Sequence, residues 1–125
     1  MKIITLMFIL FPVLALGSES ECLAAIMHSE ASGESLEGLI AVAQASINRS
    51  KATRRSVCNI KGVTRKKLPF NLAPHYMALT QSIINSKISI IGMADSWVRS
   101  KRPRLAGHIT RRIGKHTFYK MKGLR

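Results

Sequence analysis

Carboxylates are what this chain has least of: six Asp and Glu stand against twenty Lys and Arg. Their placement therefore carries weight, and three of them, Glu30, Glu34 and Glu37, fall around one glycine-containing turn. Aromatic residues are also few, seven in all. Single-strand nucleic-acid binders interleave basic grooves with stacking rings, so the charge alone does not argue for a specific nucleic-acid partner. Cys22 and Cys58 stand too far apart in sequence for the paired-cysteine spacing of metal sites. His28, His75, His108 and His116 lack HExxH spacing, so neither a metal nor a cofactor is expected. A GxSxG nucleophile elbow is absent, and so are internal repeats and low-complexity tracts.

Long apolar runs are missing too. The one at Ile3–Leu16 is shorter than the roughly 20 residues that span a bilayer. With Lys2 before it and the small residues Ala15 and Gly17 at a cleavage point near its end, the segment 1–17 has the layout of a secretory signal peptide; a retained signal-anchor is the alternative. Cleavage would leave a single domain, 18–125, with nineteen Lys and Arg against six acids, a formal +13. No membrane span is expected after cleavage. An exported chain so basic meets the anionic polymers of the cell envelope, whose phosphates and carboxylates account for the charge more simply than nucleic acid does.

Export also places the two thiols in an oxidising compartment, where a Cys22–Cys58 disulfide is expected; two buried free thiols are the alternative. The bridge would close a loop of about 36 residues, worth on the order of 3–4 kcal/mol in the chain-entropy model.

Periodicity predicts a mainly helical α+β domain. Ser18–Glu21 reads as a polar lead-in, with Glu19 and Glu21 solvated. A helix over Glu21–Ser29 gathers Leu23, Ile26 and Met27 on one side, and Gly33 breaks it. Ser35 then caps a second helix carrying Leu36, Leu39, Ile40, Ala43 and Ile47, which ends near Asn48–Ser50. Ser50–Pro69 is a basic connector with at most one short strand. Pro74 opens a third helix with Tyr76, Leu79, Ile83 and Ile84 on its apolar side. Lys87–Ile91 extends it or forms a strand. A loop containing an isolated Asp95 leads to a hairpin near Ile109–Tyr119.

Among the acids, Glu37 is explained by the helix dipole, and Glu34 by the same dipole or by capping the turn. Glu30 differs, because it closes an apolar helix just before a break. A carboxyl there can be half-buried yet face a groove, the setting that raises its pKa for general-acid work.

The ordered motifs sharpen this. "CLAAIMHSEASGESLEGLIAVAQASINRS" has Cys-Leu-Ala, a Glu30-Ala31-Ser32-Gly33-Glu34 core, then Gly38, Ala41, Val42, Ala43, Asn48 and Arg49. "SVCNI" and "IGKHTFYKM" follow at Cys58 and Ile113–Met121. Together they resemble the SleB-type cell wall hydrolases, in particular compact phage-like members. Ser32 stands where that family often has Arg, and "LPFNLAPHY" lacks the family's central Trp. The resemblance implies a lysozyme-like fold and a lytic transglycosylase acting on peptidoglycan glycan strands, in the periplasm or cell wall. Glu30 would be its general acid and base. Glu34, Asn48, Arg49, Trp97 and Tyr119 would be the residues supporting the site or binding substrate. A non-catalytic envelope-binding protein on the same fold, or a cationic nucleic-acid or membrane-active protein, are the competing expectations.

Overall fold

The computed structural model describes residues 19–99 and 107–124. The signal-peptide assignment to 1–17 lies outside them. Three helices and a three-stranded antiparallel sheet make an α+β arrangement among the described residues.

Helix α1 is described over 19–31, longer at both ends than the expected 21–29. Leu23, Ala24, Ile26, Met27 and Ala31 are all at most 2% exposed and form one wall of the core. Burying each of the larger three is worth about 2 kcal/mol. The lead-in is thus helical rather than loose, and Glu19 is not simply solvated: its Oε2 accepts the Val57 N–H at 3.0 Å.

Helix α2 (Leu36–Thr53) starts where expected. Ser35 is extended, and its Oγ accepts the Gly38 N–H at 3.2 Å. Small residues on several sides, Gly38, Ala41, Ala43 and Ala45, let neighbours approach closely, and they are buried. The helix is accordingly central, touching the helix over Ala73–Asn85, the 3₁₀ turn over Val57–Asn59 and every strand. It does not stop at Asn48–Ser50. It runs on to Thr53 and closes through Arg54 in the left-handed conformation (φ 55°, ψ 36°), because Lys51 and Ala52 favour helix. Asn48 and Arg49 are therefore body residues of α2, free to point sideways.

A 3₁₀ turn (Val57–Asn59) carries Cys58, which is disulfide-bonded to Cys22 of α1. The connector after it forms no strand and runs beside α1. Helix α3 (Ala73–Asn85) has Pro74 in its first turn and buries Tyr76, Thr80 and Ile83; Leu79 and Ile84 only pack against the core's edge. Lys87–Ile91 is neither helix nor strand. Gln44 of α2 satisfies its backbone instead, donating to the Ile88 carbonyl at 2.8 Å and accepting the Ile90 N–H at 2.9 Å.

The hairpin comes where alternation placed it, as β2 (Gly107–Ile113) and β3 (His116–Met121). A shift in register between Ile109 and Arg111 marks a bulge. A third strand, β1 (Ser96–Val98), pairs with the free edge of β3, giving the order β1-β3-β2. Three residues are too few for a period to announce them. Asp95, expected to be isolated in a loop, is 1% exposed. Its Oδ1 accepts the Met121 N–H at 2.9 Å and the Ser96 hydroxyl at 3.0 Å, and Oδ2 pairs with Lys120 at 3.3 Å. Asp95 thus ties the start of β1 to the end of β3.

Candidate active site

Glu30 lies on the last turn of α1, half-buried. Among the described residues each of its oxygens has one N–H donor, and the donors come from different parts of the chain. Thr64 of the connector gives its backbone N–H to Oε1 at 2.9 Å, and the Trp97 indole of β1 gives Nε1–H to Oε2 at 3.0 Å. One residue earlier, Ser29 Oγ accepts the Lys66 N–H at 2.9 Å, so two successive side chains fasten the connector to α1. The carboxyl is therefore held among polar donors. A carboxylate oxygen can take two partners, so each keeps a site for a proton or a ligand. Glu30 also lines a cavity of about 140 Å³ with Ser29, Glu34, Arg99, Lys115 and His116.

Glu34 faces the same cavity but serves another purpose. Its side chain is 11% exposed and reaches the β2–β3 turn. Oε1 accepts the Lys115 N–H at 3.2 Å. His116 Nδ1 lies 3.2 Å from that same oxygen, outside hydrogen-bond geometry. At the first residue of the turn, Gly114 has φ 57°, and a Cβ there would sit 2.6 Å from Glu34 Oε2. The left-handed backbone favours glycine, and the Glu34 carboxylate would have to shift to admit a methyl. Gly33, by contrast, has no positive φ, and a Cβ on it would meet nothing within 4 Å. The break between α1 and α2 comes from the Ser35 cap, not from glycine's conformational freedom.

His116 is 1% exposed. Burial pushes its pKa below the ordinary value, more than the Glu34 and Glu30 carboxylates raise it, and Arg99 adds to the lowering. It is neutral at pH 7.

Arg49 stands behind the site. Its Nε donates to the Asp95 carbonyl at 2.8 Å, Nη2 to Ser96 Oγ at 3.2 Å and Nη1 to the Lys61 carbonyl at 2.8 Å. Its guanidinium lies 5.2 Å from the centre of the Trp97 ring. Burial lowers its pKa, opposed by Asp95, Tyr119 and Glu30, and it remains a cation. One side chain thus anchors both β1 and the connector, the two segments that supply the Glu30 donors.

The expected site residues separate accordingly. Glu30, Glu34, Trp97 and Arg49 come together, with Trp97 and Arg49 positioning the carboxyl. Asn48 and Tyr119, expected to support the site or bind substrate, are engaged elsewhere. Asn48 Nδ2 is bound to the Gly92 and Ala94 carbonyls at 3.1 and 2.7 Å. Tyr119 is 3% exposed, held against β2 beneath Gly107. Thr64, Lys115 and His116 were not anticipated. His116 sat in a quoted motif without a role; Thr64 and Lys115 act through backbone N–H groups, which side-chain chemistry does not reveal. Among the described residues no group of three or more His, Cys, Asp or Glu could hold a metal, and no helix is long and apolar enough to cross a membrane.

No family model, no curated protein and no solved structure matches the chain.

Proposed function

We propose that this protein is an exported peptidoglycan-degrading enzyme of the SleB type, with a lysozyme-like domain and a lytic transglycosylase activity. The observation that carries this is Glu30: a half-buried carboxyl at a helix end, on a cavity, with one fixed N–H donor on each oxygen. Support for the lysozyme-like comparison comes from that carboxyl standing between the end of α1 and a small antiparallel sheet, where Trp97 touches it.

The chemistry needs one carboxyl. Protonated Glu30 gives its proton to the glycosidic oxygen between N-acetylmuramic acid and N-acetylglucosamine as that bond breaks. The resulting carboxylate takes the proton from the muramyl 6-hydroxyl, which attacks the anomeric carbon and closes a 1,6-anhydro ring. The two N–H donors hold the side chain in one rotamer and stabilise the carboxylate formed midway. Hydrolysis would require a second carboxylate on the other side of the sugar. Glu34 is the other acid in the cavity lining, and its Oε1 is engaged by the hairpin turn. That favours the ring-closing route.

A second reading, a non-catalytic envelope-binding protein on the same fold, is favoured by one observation. The Glu30 cavity, about 140 Å³, is smaller than others of about 650 and 510 Å³ elsewhere, and smaller than most ligand pockets. Purified sacculi separate the two. The enzyme releases muropeptides with anhydromuramyl ends, and Glu30→Gln stays folded but releases none. Release that persists in Glu30→Gln removes the assignment, reducing ends replace transglycosylation by hydrolysis, and retention on sacculi without release establishes the second reading.

A further inference from the structure

A larger cavity, about 510 Å³, opens between α1, the connector and α3, within the range of small-ligand sites. Its apolar lining includes Ala25, Leu68 and Met77, next to the disulfide at Cys22. Lys66 and Lys67 also line it, and their ammonium groups have no partner among the described residues. Arg65, in contrast, is spent on the Ile60 carbonyl at 2.8 Å. Glu21 adds a single carboxylate. This cavity adjoins the Glu30 cavity across one hydrogen bond, because Lys66 lines the first, Ser29 lines the second, and the Lys66 N–H is bound to Ser29 Oγ.

We infer that the cavity binds the peptide stem of peptidoglycan, an inference resting on the glycan-cleaving assignment of Glu30. The stem combines small apolar side chains with several carboxylates and, at diaminopimelate, an amine. Those groups match the apolar lining, the two free lysines and Glu21 respectively. The stem also branches from the muramyl lactyl group, so a strand held at Glu30 carries it into the neighbouring cavity. A polymer of phosphates would set charge against Glu21 and leave the apolar lining unused.

The test uses the free tripeptide L-Ala-γ-D-Glu-meso-diaminopimelate, titrated into the Glu30→Gln protein and followed by amide chemical shifts. Binding is expected to move the signals of Ala25, Leu68 and Met77. The double variant Lys66→Gln/Lys67→Gln should weaken it about tenfold. No shifts at millimolar tripeptide, shifts elsewhere on the molecule, an unchanged Kd in the double variant, or glycerol phosphate binding there in preference to the tripeptide would each overturn the inference. Tripeptide binding needs no turnover. If it fails while Glu30-dependent release from sacculi persists, only the stem site is lost; the converse removes only the enzyme.

Discussion

Glu30 and Glu34 are four residues apart, line one cavity and share a side-chain chemistry, yet the fold uses them in opposite ways. The Glu30 oxygens receive donors from the connector and β1 and stay half-open. Glu34 is nearly covered and grips the β2–β3 turn through the Lys115 N–H, with the His116 ring alongside. One carboxyl stands between two donors with a side left open; the other holds the wall. What separates them is which segment lies against each oxygen, a tertiary property that local sequence does not carry.

The widest contrast lies in activity. Replacing Glu30 by Gln should lower muropeptide release about a thousandfold or more while thermal unfolding stays close to the parent's. A Glu34→Ala variant should show the reverse emphasis. Losing the acceptor for Lys115 costs about 2 kcal/mol, a drop on the order of 10 °C in Tm, with activity falling as the hairpin loosens. Equal loss of Tm in both variants would erase the distinction.

Next in size is the turn that Glu34 grips. Gly114→Ala forces a left-handed alanine, about 1–2 kcal/mol, and pushes a methyl against Glu34. Calorimetry should find it less stable than the parent by about 2 kcal/mol. The matched change at the other glycine, Gly33→Ala, should alter stability by no more than about 0.5 kcal/mol. If Gly33→Ala proves the worse of the two, the Ser35 cap does not account for the break between the helices.

A pH effect should also be confined to the Glu34 side. His116 has a lowered pKa in the folded protein and an ordinary one, about 6.5, when unfolded. Above that pH it is neutral in both states and contributes no slope. Below it the unfolded chain takes up the proton first, so stability falls as the pH drops toward the lowered folded value. Unfolding measured from pH 7.5 to pH 5.5 should show this decline, and His116→Gln should flatten it. A decline that survives the substitution would point to other titrating groups.

Much of the scaffold was legible because its signals are local. Ser35 before Glu37 and Gly38 reads as a cap, Pro74 as a helix start, and the alternation after Gly107 as a hairpin. The cysteine pairing followed from compartment chemistry. The place of Glu30 at the end of an apolar helix was legible as well. What did not show were ties between distant stretches. Asp95 meets Met121, Arg49 meets Lys61 and Ser96, and Glu34 meets Lys115. Each pairs a side chain with a segment brought near only by the finished fold, and several end on backbone atoms that any residue supplies. The overrun of α2 belongs to the same class: a basic last turn signals an end, but the actual end awaited the Arg54 turn.

Arg49 gives one of these ties a wider consequence. Since the loop bearing Thr64 and the strand bearing Trp97 are moored to the same guanidinium, a disturbance in α2 reaches both oxygens of Glu30 together. A lysine there would keep the charge but could not reproduce a three-way fork, and the acid would lose its aim without any residue that touches it having changed.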